Sequence, residues 1–185
     1  MYHMEQHMNV EWFLWMDCDS WFENIEIDLM ERIQVWKAMH EKNKKTRMPL
    51  TLIIGVDMNL ENTGVFLIRN TATGRHMLSA IYSTYTDPKD NWADNRNFVT
   101  YLKSSAGKDS DFISQSVLTL TGSNFRLLQS YYNKDAAKAS PKWDYHDGDF
   151  IIHLPGHGWT VKNKIMDNHG ICGAHDGGPL KTTRM

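Results

Sequence analysis

The sequence predicts a layered α/β domain, and three observations carry that prediction. Short apolar runs, EWFLWM (11–16), TLIIGV (51–56), GVFLIRN (64–70) and FIIHLPG (150–156), have the length and the abrupt polar ends of buried strands. Between them lie longer stretches with apolar residues at helical spacing. At 185 residues the chain is long enough for one domain with a sizeable core.

Along the chain, residues 11–16 come first, as an aromatic-rich buried strand. Residues 27–43 form a helix with Leu29, Ile33 and Trp36 on one face and charges opposite. Pro49 closes the linker to strand 51–56, and Gly64 makes a tight turn into strand 64–70. Met77, Leu78, Ile81 and Tyr85 mark the next helix, and Pro88 sits in the turn after it. Asp90 caps a helix carrying Trp92, Val99 and Leu102. Asp109 or Ser110 caps another, with Ile113, Val117 and Leu120 inward and Gly122 as its stop. RLLQSYY (126–132) is ambiguous and is read as a strand. Strand 150–156 ends in a Pro-Gly turn, and from 157 on periodicity gives way to Gly- and His-containing loop. The expected division is a domain over 1–160 and an irregular tail over 161–185.

Lys and Arg number 20 against 22 Asp and Glu, a net charge of −2. The one dense basic stretch, EKNKKTR (41–47), reads as a solvated helix end and loop, so nucleic acid is not an expected partner. Two cysteines make no disulfide framework. No apolar run reaches membrane-spanning length, and MYHMEQHMNVEW lacks a signal peptide's regions, so localisation is left open.

The chemistry starts where the first strand ends. WFLWM runs straight into Asp17 and Asp19, and residues two apart in an extended chain point the same way. Two carboxylates aimed at one point repel unless a cation neutralises them, and Mg²⁺ or Mn²⁺ does so with oxygen ligands. The plainer alternative is two solvent-exposed turn acids. Asp109/Asp111 and Asp147/Asp149 repeat the spacing, but fit a helix cap and a turn. His153 alternates with Ile152 and Leu154 and is either a satisfied structural histidine or a third ligand. In the second case imidazole favours manganese over magnesium. Asn62, just before Gly64, is the residue of that segment best placed to touch a ligand.

Taken in order, WMDCDSWFEN, ENTGVFLIRN, ISQSVL and GDFIIHLPG resemble the galactosyl, xylosyl and mannosyl transferases of glycosyltransferase family 34, over roughly residues 11 to 157. The resemblance implies a GT-A-like nucleotide-diphospho-sugar transferase fold, a mixed sheet flanked by helices. It implies transfer of a hexose or pentose from a nucleotide-diphosphate sugar to a glycan acceptor, with retention of configuration and no protein nucleophile. It places Mn²⁺ (or Mg²⁺) on Asp17, Asp19 and His153, with Asp17 also towards the donor sugar. It places Asn62, Thr63, Gly64, Ser114, Gln115 and Gly156 around the substrate, Asn62 and Gln115 nearest the chemistry.

This chain departs from the family pattern in three places. Ten residues precede the first strand, where the family carries a long nucleotide-binding segment. The resemblance thus implies an N-terminally truncated version, or a partner chain that supplies the segment. Ile113 and Ser114 precede Gln115, where many relatives have an acid. His157, Gly158 and Trp159 follow the last motif, and the next cation is Lys162. The family's usual setting is the Golgi membrane. Two other functions compete. One is an inactive relative acting as a sugar-binding or assembly subunit. The other is a metal-dependent hydrolase or zinc protein built on His153, His157, His169, Cys172 and His175.

Overall fold

In the computed structural model, the described residues are 2–43, 48–58, 60–84, 93–104, 110–132, 142–155, 162 and 164–166. Their elements are α1 (Tyr2–Gln6), β1 (Trp12–Met16), β2 (Ser20–Phe22), α2 (Leu29–Asn43), β3 (Leu52–Asp57), β4 (Leu60–Arg69), α3 (Ala72–Ser83), α4 (Ala93–Ser104), α5 (Ser110–Ser116), β5 (Val117–Thr121), β6 (Ser130–Tyr131) and β7 (Ile151–His153). A 3-10 helix, Gly122–Leu127, links β5 to β6.

The strands form two mixed sheets rather than one. Four strands run in the order β1-β4-β3-β5, and three in the order β2-β7-β6. β4 is antiparallel to both neighbours, while β3 and β5 are parallel. Alternation along the central strands sends side chains to two cores. Ile53, Val65 and Leu67 meet Ile33 and Trp36 of α2 on one face. Leu52, Ile54, Phe66 and Ile68 meet Met77, Leu78 and Ile81 of α3 and Phe98 of α4 on the other. With both faces covered, β3 and β4 read as continuous apolar runs rather than alternating ones.

β1 departs from expectation because it is an outer strand. Only Trp12 is fully buried, and Trp15 is 50% exposed, stacked on Phe66 at 6.1 Å. β4 begins at Leu60, so Asn62, Thr63 and Gly64 lie inside a strand, not in a turn before one. The expected single helix through Leu120 ends at Ser116, and VLTLT continues as β5 beside β3. In RLLQSYY the first two residues close the 3-10 helix, and only Ser130–Tyr131 is strand. In the region read as loop, Lys162 and residues 164–166 are helical, and Ile165 and Met166 pack on Trp21, Ile152 and Leu154. Tyr85, Pro88, Asp90, Trp92 and Asp109 lie outside the described residues.

The register of β3 on β4 shapes the polar end of the larger sheet. Ile54 pairs with Phe66, but Gly55 pairs with Asn62, so Thr63, Gly64 and Val65 are extra on β4. This bulge lifts the middle of β4 out of the ladder, as bulges near functional sites commonly do. Gly55 is required beneath it, because a Cβ there would stand 2.7 Å from the buried Phe125 ring.

Trp36 is fully buried between α2 and the sheet. Trp36→Ala is expected to lower stability by about 3–5 kcal/mol, read as an earlier midpoint in urea unfolding.

A candidate metal centre at one end of the sheet

Four strands point one end at a common place. Asp17 follows β1, Asp57 ends β3, and Tyr131 and His153 end β6 and β7. β4 runs the other way, so its early residues Asn62–Gly64 reach the same place. Ligands of α/β sheets gather outside such carboxyl ends.

Asp17 and Asp19 converge through a turn rather than an extended strand. The Ser20 amide donates to the Asp17 carbonyl at 3.0 Å, closing a four-residue turn over Cys18. The Asp17 amide donates to the Gly64 carbonyl at 2.8 Å, and the Leu154 amide to the Asp19 carbonyl at 3.1 Å. The turn is thereby tied to β4 and to the end of β7. Asp19 and His153 are buried and Asp17 is partly so, and one ligand atom of each lies within 4.8 Å of the others. Nε2 of His153 stands 3.4 Å from Oδ1 of Asp19. The indole N–H of Trp15 donates to Oδ1 of Asp17 at 3.0 Å.

Electrostatics keep Asp19 ionised. Burial pushes its carboxyl up, but hydrogen bonds and charge from His153 and Lys162 outweigh that and hold it at about 2. Protons therefore do not compete for this carboxylate near neutrality. Lys162 donates directly to Oδ2 of Asp19.

Gly64 sits against the His153 ring. A Cβ at position 64 would lie 2.0 Å from its Cε1, so only glycine leaves room for the imidazole. Asn62 is wholly occupied inside the protein. Its amide donates to Asp57 at 3.2 Å and to the Tyr131 hydroxyl at 2.8 Å. Its Oδ1 accepts from the Gly64 amide at 3.0 Å and from Nε2 of Gln129 at 3.2 Å. Two donors and two acceptor positions exhaust a carboxamide, so Asn62 positions its neighbours rather than offering itself to a ligand. Thr63 is likewise engaged, with its amide on Oδ1 of Asn95 at 2.9 Å and its hydroxyl on the same oxygen.

Of the expected site residues, Asp17, Asp19, Asn62, Thr63, Gly64 and His153 come together. Ser114 and Gln115 do not. They end α5 just before Val117, which pairs with Leu52 at the start of β3. Five residues of strand, on the order of 17 Å, separate that point from Asp57. The Gln115 carbonyl is hydrogen-bonded by Nε2 of His40 at 2.7 Å. Gly156, His157, His169, Cys172 and His175 lie outside the described residues. Asp149 makes a two-point ion pair with Arg126 at 2.8 and 3.0 Å, in keeping with a structural role for that acid.

Sequence reasoning missed Asp57 and Gln129, and reached Lys162 only as the next cation after the last motif. Asp57 carried a usable signal, since TLIIGVD repeats the pattern of an apolar strand ending on an acid seen in EWFLWMD.

The donor set fits a hard or borderline divalent cation: two carboxylates and one imidazole, partly buried, at a sheet end. Such a centre on a mixed α/β scaffold is the arrangement of a GT-A-like glycosyltransferase. Comparison with known proteins carries the class to a family. The family model described as "galactosyl transferase GMA12/MNN10 family", glycosyltransferase family 34, matches residues 1–162, and the chain belongs to that family. It is a glycosyltransferase. A solved structure titled "crystal structure of a glycosyltransferase involved in the glycosylation of the major capsid of PBCV-1" superposes with a TM-score of 0.55 at 14% identity. The match covers 90% of this chain and 71% of that one, and it shows a common GT-A-like fold. No curated protein matches the chain. Among the described residues no helix is long and apolar enough to cross a membrane.

Gly64→Ala is expected to displace the His153 ring. Affinity for Mn²⁺ should fall at least about tenfold and stability by about 1–3 kcal/mol, measured by metal titration and thermal unfolding of one preparation.

Proposed function

We propose that the chain transfers a hexose or pentose from a nucleotide-diphosphate sugar to a glycan acceptor, with a divalent cation, Mn²⁺ rather than Mg²⁺, at Asp17, Asp19 and His153. The observation that carries the reading is the convergence of these three ligand groups within 4.8 Å at the sheet end. The imidazole in the set tilts the choice towards manganese. When bound, the ion supplies Lewis acidity towards the leaving diphosphate.

The chain's own residues do the rest. Asp17 and Asp19 present their carboxyl oxygens from a turn pinned at both ends. Asn62 and Gln129 hold His153 and the bulge in place. Lys162, which donates to Asp19, places a positive charge beside the position the diphosphate would take. Asp57, the third carboxylate nearby, accepts from Tyr131 and Asn62 and braces both. Transfer would follow the front-face route that the family implies, the leaving phosphate oxygen taking the acceptor's proton and configuration being retained. Ser114 and Gln115 have no part in this proposal. A Golgi-type setting, as the family implies, belongs to it.

Titration calorimetry with UDP and GDP, with and without Mn²⁺, tests the reading. Manganese-dependent binding of one nucleotide, lost at least about tenfold in Asp19→Asn, is the expected outcome. Asn keeps the size of the side chain while removing its charge. A folded protein that binds neither nucleotide overturns the donor-site reading and favours the inactive, sugar-binding relative.

A further inference from the structure

His153 has two ring nitrogens, and only an unprotonated Nε2 presents a lone pair towards Asp17 and Asp19. Which nitrogen keeps the proton is decided by what Nδ1 meets. Nδ1 stands 3.0 Å from Oε1 of Gln129, a fully buried side chain. The orientation of that carboxamide is set by backbone groups whose roles cannot be exchanged. Nε2 of Gln129 lies 3.3 Å from the Val65 carbonyl, which only accepts. It also donates to Oδ1 of Asn62 at 3.2 Å. That atom is an oxygen because the Gly64 amide, which only donates, points to it at 3.0 Å. Two main-chain groups of the β4 bulge thus fix two carboxamides. The second of these then offers His153 nothing but an acceptor.

We infer that Gln129 is a positioning residue that holds a His153 proton on Nδ1, so that Nε2 is the ring nitrogen left to face the cation. The inference rests on the proposed metal site for its purpose but not for its first observable. In the metal-free ring Nε2 faces a carboxylate oxygen at 3.4 Å, an encounter that would otherwise favour a proton on Nε2. Gln129 opposes that choice. Asp57 and Tyr131 brace the chain from behind, each hydrogen-bonded to the other and to Asn62.

The test compares Gln129→Met with Gln129→Glu. Both lose the donors to Asn62 and Val65, and Glu in addition sets a carboxylate oxygen against these two acceptors, so Gln129→Glu is the harsher change and any restoration by it cannot come from better packing. Only Glu keeps an acceptor for the Nδ1 proton. Nitrogen-15 spectra of the metal-free full chain, recorded well above the ordinary imidazole titration range, report the tautomer directly. The expected result is an Nδ1-protonated His153 in the unaltered protein and in Gln129→Glu, and a mixed or Nε2-protonated ring in Gln129→Met. Mn²⁺ affinity should fall about 10–100-fold in Gln129→Met and be largely restored in Gln129→Glu. An Nε2-protonated ring in the unaltered protein overturns the inference even if neither variant folds. So does equal behaviour of the two variants. The expected tautomer pattern with no Mn²⁺ binding by the unaltered protein overturns the metal reading and, with it, the purpose assigned to Gln129.

Discussion

The candidate centre depends on a missing Cβ. The His153 ring lies where any side chain at position 64 would begin, and β4 brings a glycine there by bulging out of its ladder with β3. The bulge accounts for much else. It leaves the Val65 carbonyl without its β3 partner and able to orient Gln129, while the Gly64 amide turns to Asn62. The Asp17 amide bond to the Gly64 carbonyl continues the β1–β4 register, so the acidic turn is tethered through the regular side of the same strand.

Two buried carboxamides at this junction are paired at nearly every position. Asn62 uses every hydrogen-bonding position it has, and Gln129 nearly so. Buried networks of this kind rigidify when fully satisfied and become costly when one member is lost. The two apolar cores on either side of the sheet supply the stability that lets such a network sit in the interior.

Part of this architecture is legible in the sequence. β1, β3 and β7 announce themselves because apolar runs that stop on polar residues have few other uses. Asp17, Asp19 and His153 stand out by their places at those ends. The remainder is hidden for physical reasons. ISQSVLTL satisfies helical spacing through Ile113, Val117 and Leu120, and strand spacing from Val117 on, so composition alone cannot place the boundary at Ser116. Helical spacing wins in the pattern, and pairing with β3 wins in the fold. A bulge leaves no mark in a hydrophobic pattern, so Asn62–Gly64 looks like a turn. Gln129 is one amide in an ambiguous run. Lys162 meets Asp19 across 143 residues, a contact no local pattern encodes.

That last contact has its own consequence. The candidate site carries an internal cation, because Lys162 already pairs with the carboxylate that a metal ion would need. Occupation by an ion would be an exchange of one positive charge for another rather than the filling of a bare anionic hole. A singly charged ion would gain little from such an exchange, whereas a doubly charged one would gain net attraction. The lysine would thereby set a threshold on charge.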